Sequence, residues 1–315
     1  MHAAVLHAYG ATPVYEAFEE PVAGEGREVV QVAAAAVNPV DVRKASGTYL
    51  AGPPPLPSVV GTEGVGRLAG DGPRVYFDAP VAPFGAFGER ALIDASAAVE
   101  LPDGIADDVA AALGIAGLAA WLPLTWRSQL QAGETVLVLG ATGAVGQLAV
   151  QVAKLLGAGR VVAAGRDRAM LERAARLGAD ATVDMSGLSG EDLTNAFREA
   201  AGGDVDVVHD PLWGTPAAAA IEALAVGGRL VQIGQSAGAE ATLPSASIRG
   251  RQLEIRGYLH FLAPAHMRRD AYRALVAHAA AGHLALELER LPLAQVGDAW
   301  ERVQRGAHRK LVLIP

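Results

Sequence analysis

The chain has 315 residues, 51% of them hydrophobic and 19% charged, which is enough for two domains and too apolar for disorder. It contains no cysteine, so disulfide frameworks, cysteine-based zinc sites, iron–sulfur clusters and thiol catalysis are excluded together. A net charge of −8, spread along the chain, excludes electrostatic nucleic-acid binding.

The first hundred residues alternate short apolar runs with glycine and proline. Strands are predicted over 3–6, 29–37, 59–68, 75–77 and 90–93, in a sheet that curls towards a barrel. Pro53, Pro54, Pro55 and Pro57 mark a loop, because proline cannot donate to a sheet ladder. The start of the chain lacks a basic region followed by a long apolar stretch. No secretory leader is expected, and the expected location is cytoplasmic. Near residue 105 the texture changes, and Asp107 and Asp108 are predicted to cap a helix over the alanine-rich run that follows. Residues 109–126 carry no charge, but they are rich in Ala and Gly and broken by Pro123, so a buried helix is expected there rather than a membrane span.

After Gly133 strands and helices alternate. Strands are predicted over 136–139, 160–164, 181–183, 205–209 and 229–233. Helices are predicted over 144–156, 168–177, 191–200 and 216–224. This succession calls for a parallel sheet covered by helices on both faces. The tail adds a strand over 253–256, a helix over 266–281 and a last strand over 311–314.

The first of these strand-to-helix turns carries the most chemistry. Gly140-Ala-Thr142-Gly143-Ala144-Val145-Gly146 follows an apolar strand and opens a helix. The first glycine permits a tight turn, the second admits a pyrophosphate to the backbone, and the third lets helix and strand pack closely. The Gly-x-x-Gly-x-x-Gly spacing is a looser variant of the dinucleotide fingerprint. An NAD site wants an acid at the end of the second strand. Nineteen residues after Gly146 stands Gly165, followed by Arg166 and, two further on, Arg168, both suited to a ribose 2′-phosphate. Asp167 lies past that position, and is either the acid of an NAD site or the cap of the next helix. The expected cofactor is therefore NADP(H).

These residues, with others in order along the chain, resemble the medium-chain dehydrogenase/reductase superfamily in its zinc-free, quinone oxidoreductase-like branch. The series runs through Asn38-Pro-Val-Asp41, Ser46-Gly47-Thr-Tyr49, Gly61-Thr62-Glu63-Gly64-Val-Gly66, Ala86-Phe87-Gly88-Glu89 and Leu101-Pro102-Asp103-Gly104. It continues with Gly178-Ala179-Asp180, Gly227-Gly228-Arg229 and Arg309-Lys310-Leu311-Val312-Leu313. The resemblance implies an α/β chain: a GroES-like β-barrel domain over 1–118 and 255–315, and a Rossmann doubly wound parallel sheet domain over 119–254, with the cofactor in the cleft between them. Zinc-dependent relatives place a histidine ligand where Thr62 stands and a cysteine upstream, so no metal is expected. The resemblance further implies a homodimer formed near residues 253–262.

It also implies hydride transfer from NADPH to a quinone or an α,β-unsaturated carbonyl acceptor. Tyr49 is the expected hydrogen-bond donor or substrate contact, with bulk water the alternative acid. Asn38 and Asp41 are expected to orient the pocket. The loops 209–213 and 233–236 are expected to run beneath the nicotinamide, with Ile233 and Gly234 among the cofactor contacts. Arg43 stands where related enzymes often carry tyrosine, a departure that points towards an anionic or polar acceptor. Two alternatives compete. Some relatives bind NADPH without catalysis, as crystallins or regulators. Gly234-Gln-Ser236-Ala-Gly238 also fits the nucleophile elbow of a serine hydrolase, with Asp270 and His283 following in order, although such an elbow must lead straight into a helix.

Overall fold

The computed structural model describes residues 1–49, 52–307 and 309–315, and divides into two compact units. The first comprises Met1–Ala116 and Leu286–Pro315, the second Gly117–Ala285. The first junction lies close to the expected one. The second lies at 285/286 instead of 254/255, because the strand after residue 253 joins the parallel sheet of the second unit.

The first unit opens with β1 (His2–Leu6), β2 (Val14–Ala17) and the long β3 (Arg27–Ala36), followed by the short helix α1 (Pro39–Ala45). The predicted strand over 59–68 is two strands, β4 (Ser58–Val59) and β5 (Gly64–Leu68). Gly61 stands between them at φ +100°, and a Cβ there would lie 2.3 Å from the Phe87 ring. β6 (Arg74–Phe77), β7 (Arg90–Asp94) and β8 (Val99–Glu100) follow. Helix α2 (Asp107–Ala112) starts from Ala106 with no side-chain cap, so Asp107 and Asp108 sit in its first turn and favour its positive end rather than capping it. The uncharged stretch after it continues as α3 (Ile115–Leu122) and a π-turn over Pro123–Arg127. Among the described residues, no helix is long and apolar enough to cross a membrane.

In the second unit β9 (Thr135–Leu139), α4 (Ala144–Leu155), β10 (Arg160–Gly165), α5 (Arg168–Arg176), β11 (Ala181–Asp184), α6 (Gly190–Ala201), β12 (Val205–Asp210), α7 (Gly214–Ala223) and β13 (Leu224–Gln232) alternate. A short α8 (Ser245–Gly250) leads to β14 (Glu254–Gly257), and α9 (Ala265–Ala280) closes the unit. The sheet is parallel throughout, in the order β11-β10-β9-β12-β13-β14. The order reverses beside β9, the switch point where α/β sheets take ligands at the carboxyl ends of their strands. The strands are near-continuous apolar runs, as burial on both faces requires.

The chain then returns to the first unit with β15 (Leu288–Pro292), α10 (Val296–Arg305) and β16 (Lys310–Ile314). β16 pairs antiparallel with β3 and completes the sheet β15-β16-β3-β5-β6-β8, while β7 pairs with β3. The returning segment places Leu291, Leu293, Trp300 and Leu313 in one core with Phe77 and Phe87 from the N-terminal part. This explains why two distant stretches make one unit.

Candidate active site

The glycine turn divides its labour by position. Gly140 ends β9 at φ +62°, a conformation that favours glycine. A Cβ on Gly146 would lie 2.3 Å from the Gly140 carbonyl oxygen, so helix and strand approach as the third glycine allows. A Cβ on Gly143 would meet nothing nearer than 3.7 Å, so this edge of the turn is open. Gly143 is the N-cap of α4, and the first intrahelical bond runs from the Gln147 N–H to its carbonyl at 2.9 Å. The N–H groups of Ala144, Val145 and Gly146 therefore precede the ladder, at the positive end of a twelve-residue helix. These residues fit a dinucleotide phosphate.

Gly165 ends β10 beneath this turn, and a Cβ there would lie 2.3 Å from the methyl group of Thr142. An acid at that position would collide with the turn, which is a steric reason for its absence. Asp167 accepts from the Met170 N–H at 3.0 Å and caps α5, the second of its two expected roles. Arg168 is tied at 2.9 Å to Asp184, whose carboxyl it draws down to about 2. Arg166 is exposed, and its guanidinium holds no ion pair among the described residues. Of the two arginines, Arg166 is the one whose guanidinium no carboxylate holds among the described residues.

The two expected loops lie together at the carboxyl ends of β12 and β13. The Ile233 N–H donates to the Asp210 carbonyl at 2.8 Å, and the Ala237 N–H to the Leu212 carbonyl at 2.8 Å. A Cβ on Gly234 would come within 2.8 Å of the Pro211 carbonyl. One residue here was not singled out in the sequence. Asp210 Oδ1 accepts from the N–H groups of Leu212 and Trp213, each at 2.9 Å, and holds Trp213 at φ +57°. Burial raises the Asp210 carboxyl to about 6. The neighbouring His209 is buried and neutral, pushed down to about 4, and its Nε2–H donates to the Ala119 carbonyl at 2.9 Å. Ser236 does not form a nucleophile elbow. Residues 233–244 contain no helix, and its hydroxyl donates to the Pro211 carbonyl at 3.2 Å.

In the first unit, Asn38 caps α1 and its amide is committed inward. Nδ2 donates to Glu63 Oε1 at 2.7 Å and to the Ala36 carbonyl at 3.0 Å, while Oδ1 accepts from Lys310 Nζ. Glu63 Oε2 accepts from the Tyr76 hydroxyl at 2.9 Å and from the Ile115 N–H at 2.5 Å. Burial pushes the Glu63 carboxyl up to about 7 and the Lys310 ammonium down, each drawn partly back by the other. Glu63 and Lys310 were visible only as members of motifs; their pairing was not. Asp41 is buried and its Oδ2 accepts from the Asn38 N–H at 2.8 Å. Both Asn38 and Asp41 thus order the start of α1.

The other end of α1 faces a cleft of about 170 Å³, lined by Asp41, Lys44, Ser58, Thr62, Pro54 and Pro80 among others. Lys44 Nζ stands 5.7 Å from the centroid of the Tyr49 ring. Burial raises the Tyr49 hydroxyl above its usual range, with Arg43 opposing. Arg43 itself is exposed.

Residues 144–279 match the zinc-binding dehydrogenase family. No group of three or more His, Cys, Asp or Glu side chains among the described residues is placed to hold a metal ion. The chain is 34% identical over 304 residues to a phenolphthiocerol/phthiocerol polyketide synthase of Mycobacterium tuberculosis, a match covering 90% of this chain and 13% of the synthase. It therefore spans a small part of the length of the curated relatives it matches. Among solved structures, the quinone oxidoreductase of Thermus thermophilus, determined alone and with NADPH, superposes with a TM-score of 0.85 at 29% identity over the whole of both chains. The Escherichia coli quinone oxidoreductase complexed with NADPH has the same fold, with a TM-score of 0.89 at 24% identity over both full lengths. With its doubly wound parallel sheet, its separate antiparallel sheets and its glycine turn, the chain belongs to the medium-chain dehydrogenase/reductase superfamily and is quinone oxidoreductase-like within it.

Proposed function

We propose that this chain is a zinc-independent reductase that uses NADPH to reduce a quinone or an α,β-unsaturated carbonyl compound. The observation that carries the reading is the pairing of an open glycine turn with Arg166, beside a strand end where Gly165 leaves no room for the acid of an NAD site. The NADPH complexes of the two quinone oxidoreductases support the cofactor. Thr62 at the position of a zinc ligand, in a chain without cysteine, supports chemistry without the metal.

When bound, NADPH supplies the hydride. The backbone N–H groups of Ala144, Val145 and Gly146 hold its pyrophosphate, with Gly140, Thr142 and Gly143 forming the turn. Arg166 meets the 2′-phosphate, and Arg168 adds positive charge from its bridge to Asp184. Ile233 and Gly234 meet the nicotinamide end through backbone groups. Tyr49 contacts the acceptor, whose conjugated carbonyl spreads the developing charge without a Lewis acid. Asn38 and Asp41 keep α1 in place beneath it.

Oxidation of NADPH and NADH against a panel of quinones, enones and enoyl thioesters tests the reading. Turnover with NADPH on at least one class is expected. NADPH binding without turnover on any member would replace the reductase with a binding protein.

A cytoplasmic location and a homodimer belong to the same proposal. β14 is the free edge of the parallel sheet, and Ile255 on it is 38% exposed while Leu262 beyond it is 74% exposed. Light scattering is expected to return twice the chain mass of 32.3 kDa, and a monomer would overturn this part.

A further inference from the structure

We propose that Lys44, and not Tyr49, donates the proton that completes reduction of the acceptor. This rests on the reductase reading above and names the acid for that same site.

Saturating the alkene of an enone takes one hydride and one proton. Addition of the hydride leaves an enolate. The Nζ–H bond of Lys44 then breaks, its proton adds to the enolate α-carbon, and the bonding pair stays on nitrogen as a neutral amine. Bulk water returns the proton to the amine. The sum is acceptor plus NADPH plus one proton, giving the saturated carbonyl compound and NADP⁺.

Three observations place Lys44 in this role. Its side chain lines the cleft together with Asp41 and Thr62, on the last turn of a helix whose first turn is fixed by the Asn38–Glu63–Lys310 cluster. Its ammonium stands over the Tyr49 ring, so the two candidate acids compete for one place. Burial also moves the two in opposite directions, the ammonium down towards neutrality and the phenol up away from it. A good general acid titrates near the working pH, and Lys44 is the one displaced that way. Asp41 on its own helix and Asp78 after β6 oppose the displacement. The remaining charged neighbour on α1, Arg43, acts on Tyr49.

The test uses the full chain with NADPH and 2-cyclohexen-1-one. Lys44→Met is expected to lower kcat about 100-fold while a fluorescence titration with NADPH is unchanged. Lys44→Arg keeps the charge but hardly releases a proton, so its kcat is expected to fall similarly. In the wild type kcat falls as pH rises through the ammonium titration. That alkaline limb is absent from Lys44→Met, and moves to lower pH in Asp78→Asn because an opposing carboxylate is gone. Tyr49→Phe raises the KM for the enone and keeps the limb. Methylamine restores turnover to Lys44→Ala in proportion to its ammonium form. Full kcat in Lys44→Arg, or loss of the limb in Tyr49→Phe, overturns the assignment alone. A wild type inactive on every acceptor class overturns the reductase reading and the assignment with it.

Discussion

Lys310 Nζ lies 3.7 Å from Glu63 Oε1, with the two side chains only 4% and 0% exposed. Each ion is costly in that place without the other, because removing one partner strands an uncompensated buried charge. Lys310→Met is expected to lower the unfolding free energy by about 3 kcal/mol in urea titrations. Glu63→Gln should cost a comparable amount, because it leaves Lys310 unpaired and sets an amide NH2 against the Tyr76 and Ile115 donors, although its oxygen can still accept from Asn38. The double substitution Glu63→Gln/Lys310→Met should cost less than the sum of the two. Additive losses would show that the ions do not stabilise each other. Glu63 is raised from 4.5 to about 7, so the folded state holds its proton more tightly than the unfolded chain. Stability from this source is present below pH 4.5 and lost as pH rises through about 7, and Glu63→Gln removes that slope.

Arg166 and Arg168 looked equivalent as residues of one motif, but among the described residues only Arg166 of the two is without a carboxylate partner. Arg166→Ala is expected to raise the KM for NADPH at least about tenfold, the cost of one charged hydrogen bond, and to leave the KM for NADH nearly unchanged. Arg168→Ala should have a smaller effect. Steady-state kinetics with both cofactors decide it, and equal effects on NADPH and NADH would sink the 2′-phosphate assignment.

The parts that could be read from the sequence are the local ones. The glycine turn, the cap at Asp167 and the alternation from β9 to β13 depend on neighbours within a few residues, and periodicity reports them. The Asn38–Glu63 bond spans 25 positions and the Lys310–Asn38 bond spans 272, so no spacing rule reaches them. α1, with seven residues, is too short for an apolar stripe, and proline at its first helical position is a local start signal. α10 carries a legible stripe, Val296, Ala299, Trp300 and Val303, among its charged residues. The 254/255 junction failed for another reason. Whether a strand of four residues joins one sheet or another is decided by its partner, and β13 lies outside the local window.

His209 and Asp210 are consecutive, buried and displaced from their ordinary titration in opposite senses, which gives the second unit a distinctive pH response. His209 is lowered from 6.5 to about 4 because burial disfavours the charged ring, although the bond to the Ala119 carbonyl pulls the other way. Its contribution to stability is therefore present above pH 6.5 and lost as pH falls through about 4. Asp210 is raised from 3.8 to about 6, so its contribution is present below pH 3.8 and lost as pH rises through about 6. The two partly cancel between pH 4 and 6 in the wild type. His209→Gln keeps a donor for Ala119 and removes the titration, leaving Asp210 alone. Thermal melts from pH 4 to 7 are then expected to show the variant growing more stable, relative to the wild type, as the pH falls. Parallel profiles would mean that the ring titrates alike in the folded and the unfolded chain, contrary to its burial.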